Sequence, residues 1–288
     1  MKNLIQQYSK YLITLFFVIC ALFLARALWF HYMDAPWTRD GRVRADIVNI
    51  APDVNGLVTQ VHVKDNQHVQ RGELLFEIDS EHYHNTVLEA EAIAAERKTD
   101  LLLKQSQAKR RQLVDDKVVS GEDKENAELA LHIAQSRYQA AMAELQQAKL
   151  NLERTQVRSP VDGWITNLLL RPGDFAHIGN PAMAVIDEHS FWIYGYFEEN
   201  KVHHIALGNS ATITLLGSNQ QLTGKVDSIA HGIDDRDNPT GSRLLANVNP
   251  SFNWVRLAQR IPVRILLDPL PNNIHLVAGM TCTVTIHK

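Results

Sequence analysis

Thirteen histidines and two cysteines are the side chains of this 288-residue sequence best suited to metal binding or nucleophilic chemistry. Their spacing supports neither. Only His82/His84 and His203/His204 stand close together. Residues two apart point to different sides of a helix, and adjacent side chains diverge as well. No pair has the i, i+4 or cysteine-assisted spacing of a metal site, so the histidines read as solvated surface residues. Cys20 and Cys282 lie 262 positions apart, with Cys20 inside an apolar run, which argues against a disulfide. The acidic stretch IDDRDNPTG, 233–241, offers many oxygens, but Pro239 falls where a calcium ligand belongs and no glutamate closes the loop. A turn between strands is expected there. Gly-x-Ser-x-Gly, Walker and dinucleotide fingerprints are absent, and no carboxylate pair can be placed in a cleft. The chain reads as a non-enzyme without metal or cofactor.

The elements that remain must therefore serve placement, and the first is an apolar one. Residues 11–25, YLITLFFVICALFLA, carry no charge. Extended through Arg26 to Met33 the stretch makes roughly 35 Å of helix, enough for a bilayer core of about 30 Å. Tyr11 opens it, Arg26 can snorkel to the headgroups, and Trp29 suits the interface. Residues 11–33 are read as a transmembrane anchor after a cytoplasmic segment, 1–10. Ala25-Arg26-Ala27 also has a small-x-small pattern, so cleavage as a signal peptide stays open. Lysines precede the helix and arginines follow it, which leaves orientation to the rest of the chain. An apolar fraction of 45% with 21% charged residues indicates a folded chain, and a net charge of -3 gives no bulk reason to expect nucleic acid.

The segment APDVNGLVTQVHVKDNQHVQRGELLFEID from Ala51 is repeated as SPVDGWITNLLLRPGDFAHIGNPAMAVID from Ser159. Gly56 matches Gly163 and Gly72 matches Gly179, at a constant spacing of 107 or 108. Both copies alternate apolar and polar residues between turns at Asp65-Asn66 and Pro172-Gly173. Gly56, Gly72, Gly163, Gly173 and Gly179 are placed at turns that need positive φ. Neither half can bury its apolar face alone, so the two, 48–79 and 156–189, are expected to form one flattened β-sandwich.

Between the halves the period changes to 3.5. Ala127, Ala134, Ala141 and Ala148 recur every seven residues, with Leu131, Tyr138, Leu145 and Leu152 four places later. Leu88, Ala95 and Leu102 with Ala92, Thr99, Ser106 and Leu113 repeat the pattern upstream, less strictly. Residues 115–121 break the helix. An antiparallel coiled-coil hairpin over 80–155, about 50 Å long, follows. Ser120 with Asp123 reads as a capping box starting the second arm. From 190 to 288 strands return, with a short helix at 198–205, and suggest a small β-barrel to which residues 34–47 add a first strand.

An anchor, a half motif, a hairpin, the second half motif and a β-rich end, in that order, resemble the HlyD-type membrane-fusion family across essentially the whole chain. NLERTQVRSPVDGWITNLLLRPGDF is similar to its second-half signature. LLGSNQQLTGKVDSIAHGI and WVRLAQRIPVRILLD look closest to the p-hydroxybenzoic-acid (aromatic carboxylic acid) efflux branch. The resemblance implies a mixed α and β multidomain chain in which the halves form a lipoyl-like domain. Biotinyl and lipoyl domains carry a modifiable lysine between their halves, whereas here that place is Asp79-Ser80-Glu81, so no covalent cofactor is expected. The family docks onto a TolC-type outer-membrane channel through an arginine, a leucine four residues on and a serine seven beyond. Lys109, Leu113 and Ser120 have that spacing, with lysine replacing the planar guanidinium fork. The implied partners are that channel, an inner-membrane transporter and further copies of the chain in a ring, read as a hexamer. The implied location is the bacterial inner membrane, single-pass, with the bulk in the periplasm. An adaptor of a polypeptide-exporting ABC system and a purely structural envelope protein remain alternatives.

Overall fold

Alternating apolar residues settle on strands here, and the heptad runs on two long helices. The computed structural model describes residues 14–26, 35–114, 119–217, 220–233, 258–269 and 274–287. Helix α1 covers residues 14–26. Strand β1 (Trp37–Arg44) is followed by β2 (Ile47–Ile50), β3 (Gly56–Val61), β4 (His68–Val69) and β5 (Leu74–Ile78). Helices α2 (Glu81–Gln112) and α3 (Gly121–Glu153) come next, then β6 (Gln156–Arg158), β7 (Gly163–Thr166), β8 (Phe175–Ala176) and β9 (Met183–Asp187). The chain continues through β10 (Trp192–Glu198), the single turn α4 (Glu199–Val202), β11 (Ser210–Leu215), β12 (Gln221–Ile229), β13 (Arg260–Leu267) and β14 (Thr281–His287). Two compact units result, Ile47–His189 and Met1–Asp46 with Ser190–Lys288.

In the first unit the repeat becomes a two-fold exchange. One sheet runs β2-β9-β7-β4 and the other β6-β5-β3-β8. Each therefore takes a two-residue outer strand from the opposite half. Asn66 N–H donates to Ile165 C=O (2.9 Å), and its repeat mate Gly173 N–H donates to Val58 C=O (2.9 Å). Gly72 N–H to Ser159 C=O (2.7 Å) is mirrored by Gly179 N–H to Pro52 C=O (3.1 Å). Phe76, Leu75, Val58 and Val69 from one half share a core with Ile165 and Val185 from the other. Each such side chain is worth roughly 1.5–3 kcal/mol when fully buried, and neither half could bury its share alone.

Two of the glycines have another role than the turns expected of them. Gly72, Gly173 and Gly179 have positive φ (85, 96 and 77°), but Gly56 and Gly163 open β3 and β7. A Cβ on Gly163 would collide with the backbone carbonyl of Ile186, so close strand approach, not φ, demands glycine there.

The arms α2 and α3 pack antiparallel. Glu91 near the start of α2 pairs with Lys149 near the end of α3 (2.8 Å), and Arg111 near the end of α2 donates to Asp123 C=O at the start of α3 (3.3 Å). On α3 the buried line is Ala127, Ala134, Ala141 and Ala148 with Leu145. On α2 it is Val87, Ala94 and Ala108, one residue ahead of the expected seam. Leu88, Leu102 and Leu113 instead stand 52%, 53% and 78% exposed. Apolar residues occupy adjacent heptad positions on α2, so two stripes compete. The closely approaching alanines of α3 select the one containing the smaller side chains.

In the second unit six antiparallel strands close as β1-β10-β13-β12-β11-β14. Strand β1 fills the gap between β10 and β14, so the barrel too is assembled from both ends of the chain. Its core holds Val43, Ile193, Phe197, Ile213, Val263, Ile265 and Val284. The helix expected at 198–205 is only α4, because residues 203–204 turn and Ile205 drops into the core. Among the described residues no helix is long and apolar enough to cross a membrane. Residues 14–26, the described part of the expected anchor, are helical and exposed, while Tyr11 and Trp29 lie outside the described residues.

Candidate functional site

The hairpin tip carries the candidate docking residues. The last turn of α2 holds Lys109, Arg110 and Arg111, and the first turn of α3 holds Glu122 and Asp123. Cations at a helix C-terminus and carboxylates at an N-terminus both complement the helix dipoles. Ser120 is the N-cap of α3, with extended backbone (φ -65, ψ 152). Its Oγ accepts from Asp123 N–H (3.1 Å) and donates to Asp123 Oδ2 (2.7 Å). The expected box is thus modified, because the carboxylate holds the capping hydroxyl and not the Ser120 N–H.

Two long side chains bind the arms together at this end. Arg111 reaches the Asp123 carbonyl, and Lys124 Nζ donates to Val114 C=O (2.9 Å), an acceptor the end of α2 leaves open. Lys109, Leu113 and Ser120 are all exposed. Leu113 ends α2 as its C-cap and does not continue the seam, whose last buried residues are Ala108 and Ala127. The described part of the tip therefore presents an exposed leucine beside a basic turn, opposite an arm that Ser120 caps.

At the other end of the hairpin, Asp79 Oδ1 accepts from Glu81 N–H (3.0 Å) and helps start α2, while Ser80 makes no capping bond. The position of a carrier lysine is therefore a helix start. His203 and His204, expected to diverge, have ring centroids 3.9 Å apart because they share the turn after α4. His82 sits edge-on to Tyr83. Among the described residues no three His, Cys, Asp or Glu side chains are grouped to hold a metal. Of the acidic stretch only Ile233 lies within the described residues. Cys282 is buried in the barrel, and burial pushes its thiol up to about 12.

Two clusters had no sequence signal. His68 Nε2 lies 2.8 Å from Glu188 Oε2 with Trp164 edge-on to its ring, and His189 approaches the same carboxylate at 3.5 Å. Trp37, Arg39, Lys201 and Arg260 line a cavity in the barrel unit. His68 and Glu188 stand 120 positions apart, and Trp37 lies 164 positions before Lys201, so the fold and not local sequence joins each cluster.

The matches with known proteins cover nearly the whole chain. Residues 46–188 match the barrel-sandwich hybrid domain of RND membrane-fusion proteins, and 190–287 match the AAEA-like β-barrel domain. The chain is 42% identical over 277 residues, 96% of its length and 97% of the relative's, to the uncharacterised protein YdhJ of Escherichia coli (strain K12). Among solved structures, MacA from Actinobacillus actinomycetemcomitans superposes with a TM-score of 0.65 at 21% identity, covering 88% of this chain and 79% of that one. The membrane fusion protein Spr0693 from Streptococcus pneumoniae R6 superposes with a TM-score of 0.61 at 14% identity, covering 87% and 98%.

Proposed function

The chain belongs to the membrane-fusion protein family, and from that premise we propose that it is a periplasmic adaptor joining an inner-membrane transporter to an outer-membrane channel for efflux of small molecules. The observation that carries this reading is the hairpin tip. A leucine 78% exposed stands at the end of an arm of roughly 50 Å, beside three basic residues. Lys109, Leu113 and Ser120 are the contacts proposed for a TolC-type channel. The N-terminal apolar segment is the proposed single-pass anchor in the inner membrane, with the bulk of the chain in the periplasm.

Self-association into a ring, a hexamer in this proposal, would cover the outer apolar stripe of α2. Leu88, Leu102 and Leu103 are each half exposed there, in a chain whose α2–α3 seam is already filled. Aromatic carboxylic acids are the proposed cargo class, supported by the likeness of LLGSNQQLTGKVDSIAHGI and WVRLAQRIPVRILLD to that efflux branch. The partner transporter supplies the energy in this reading, since the chain shows no nucleotide-binding fingerprint.

Photocrosslinking in cells tests the reading, with probes at Lys109, Leu113 and Ser120 and at the exposed Asn200 beside the barrel. Adducts from the tip to an outer-membrane channel, and from Asn200 to an inner-membrane transporter, are expected. Well-expressed tip probes that capture nothing while cargo is present would remove the adaptor reading and favour a structural envelope protein.

A further inference from the structure

The barrel unit concentrates positive charge on a face that the chain as a whole does not suggest. Along β10 the burial pattern alternates, with Ile193 and Phe197 inside and Trp192, Tyr194 and Tyr196 on the outer side. Trp192 and Tyr194 meet edge-on at 6.1 Å, and Tyr194 and Tyr196 are 6.4 Å apart. Register places Arg44 and Arg42 of β1 opposite Trp192 and Tyr194 on one flank. On the other flank Arg264 of β13 pairs with Tyr194, and its guanidinium lies 4.5 Å from the Trp192 ring centroid.

The ladder ends at a cavity of about 270 Å³ lined by Trp37, Arg39, Asp40, Tyr196, Lys201 and Arg260, together with Thr38 and Glu198. Lys201 is 6% exposed, an unusual burial for a lysine. Its Nζ lies 3.5 Å from Glu198 and 5.3 Å from the centre of the Trp37 ring, and Arg39 approaches the same ring at 5.7 Å. Arg260 pairs with Asp40. Between cavity and ladder stand six cations, Arg39, Arg42, Arg44, Lys201, Arg260 and Arg264. Among the described residues the carboxylates paired with them are Asp40, Glu198 and Asp227. Among these described groups cations outnumber carboxylates, in a chain whose net charge is -3.

We propose that this face binds the phosphate headgroup of an anionic phospholipid, with the cavity between Trp37, Lys201 and Arg260 taking the phosphate and the Trp192–Tyr194–Tyr196 ladder resting at the bilayer interface. Its size is near the lower end of ligand sites, about 300–1,000 Å³, and suits a headgroup better than a multi-ring molecule. Tryptophan and tyrosine belong at the membrane–water boundary, and arginine pairs with phosphate bidentately. Position adds an independent constraint. Only ten residues lie between Arg26 and Trp37, so β1 cannot start more than about 40 Å from Arg26. The inference rests on the reading of the N-terminal apolar segment as the anchor.

The test uses the full-length chain in non-ionic detergent, titrated with water-soluble dihexanoyl phosphatidylglycerol, dihexanoyl phosphatidylcholine and inorganic phosphate. Native mass spectrometry counts bound lipid, and tryptophan emission is compared with that of Trp37→Phe. Saturable binding of the phosphatidylglycerol, about tenfold tighter than of the phosphatidylcholine, is expected. Lys201→Met keeps the buried stem, and Arg39→Gln alters only an exposed rim. Each should weaken binding about fivefold, roughly the worth of one cation at an anionic surface, while Lys98→Gln on the hairpin changes nothing. Equal binding of the two lipids, or unchanged binding in both variants, overturns the proposal. Phosphate binding as tight as that of phosphatidylglycerol also overturns it, leaving a free-anion site. Membrane pelleting of the same chain from cells reports the anchor separately, so either reading can fail while the other stands.

Discussion

The sandwich and the hairpin hold themselves together by opposite means. The sandwich buries Phe76, Leu75 and Ile165 almost completely, in strands of two to six residues that come from both halves of the repeat. The hairpin buries mostly alanine along arms of 32 and 33 residues. An alanine seam contributes little apolar area per turn but allows close helix approach. It leaves larger side chains such as Leu102, Leu103, Leu129 and Ile133 facing outward. The sandwich is thus a self-sufficient core, and the hairpin is a stiff projection whose large apolar groups face away from its own partner arm.

The largest test of that contrast is Phe76→Ala, expected to cost about 3–5 kcal/mol by opening a cavity in the shared core. Thermal unfolding followed by near-UV circular dichroism should show it, and a loss below about 1 kcal/mol would mean the sandwich core is not cooperative. Ala134→Leu should cost about 1–3 kcal/mol by forcing the arms apart, read as lost helicity at 222 nm with the sandwich signal intact. Ser120→Ala removes a cap and should cost about 1 kcal/mol, seen as faster amide exchange confined to the first turn of α3. Leu102→Gln is the sharpest check on the seam. In the protomer it should change stability by no more than about 0.5 kcal/mol, whereas Ala94→Gln, on the buried stripe, should be clearly destabilising.

The barrel adds a pH test. A thiol raised from 9.0 to about 12 by burial stabilises the fold fully below pH 9.0, and that contribution is lost as pH rises from there to about 12. Cys282→Ser should flatten this alkaline loss, and in a Cys20→Ser background Cys282 should resist thiol reagents at pH 8 until the barrel unfolds.

Much of the architecture was legible from spacing. The repeat at Ala51 and Ser159 foretold a sandwich of two halves, because each copy shows period two and matched turns. The alanine heptads of α3 foretold the seam that is buried, since no competing apolar stripe lies next to them. On α2 the same reasoning chose the wrong stripe, because leucine at 88 and 102 outweighs Val87 and Ala94 in hydrophobicity. The choice depends on the volume available opposite, which belongs to α3. Gly163 likewise looked like a turn residue, but what requires glycine is the carbonyl of Ile186, which reaches it only when β7 and β9 pair. At the tip, Ser120 and Asp123 were readable as a cap because the contact spans three residues. The exposure of Leu113 was not.

Local chemistry along the chain determined the strand and helix periods, the pseudo-symmetry, the capped hairpin end and the lack of a carrier lysine at Asp79-Ser80-Glu81. Tertiary structure decided which face of α2 turns inward, that β1 closes a barrel with β10 and β14, and that Trp37, Lys201 and Arg260 share one cavity. Periodicity and capping act over a few residues and are written in the order of the chain. Strand exchange and cavity formation join residues more than one hundred positions apart, and only the packed backbone specifies which of them meet.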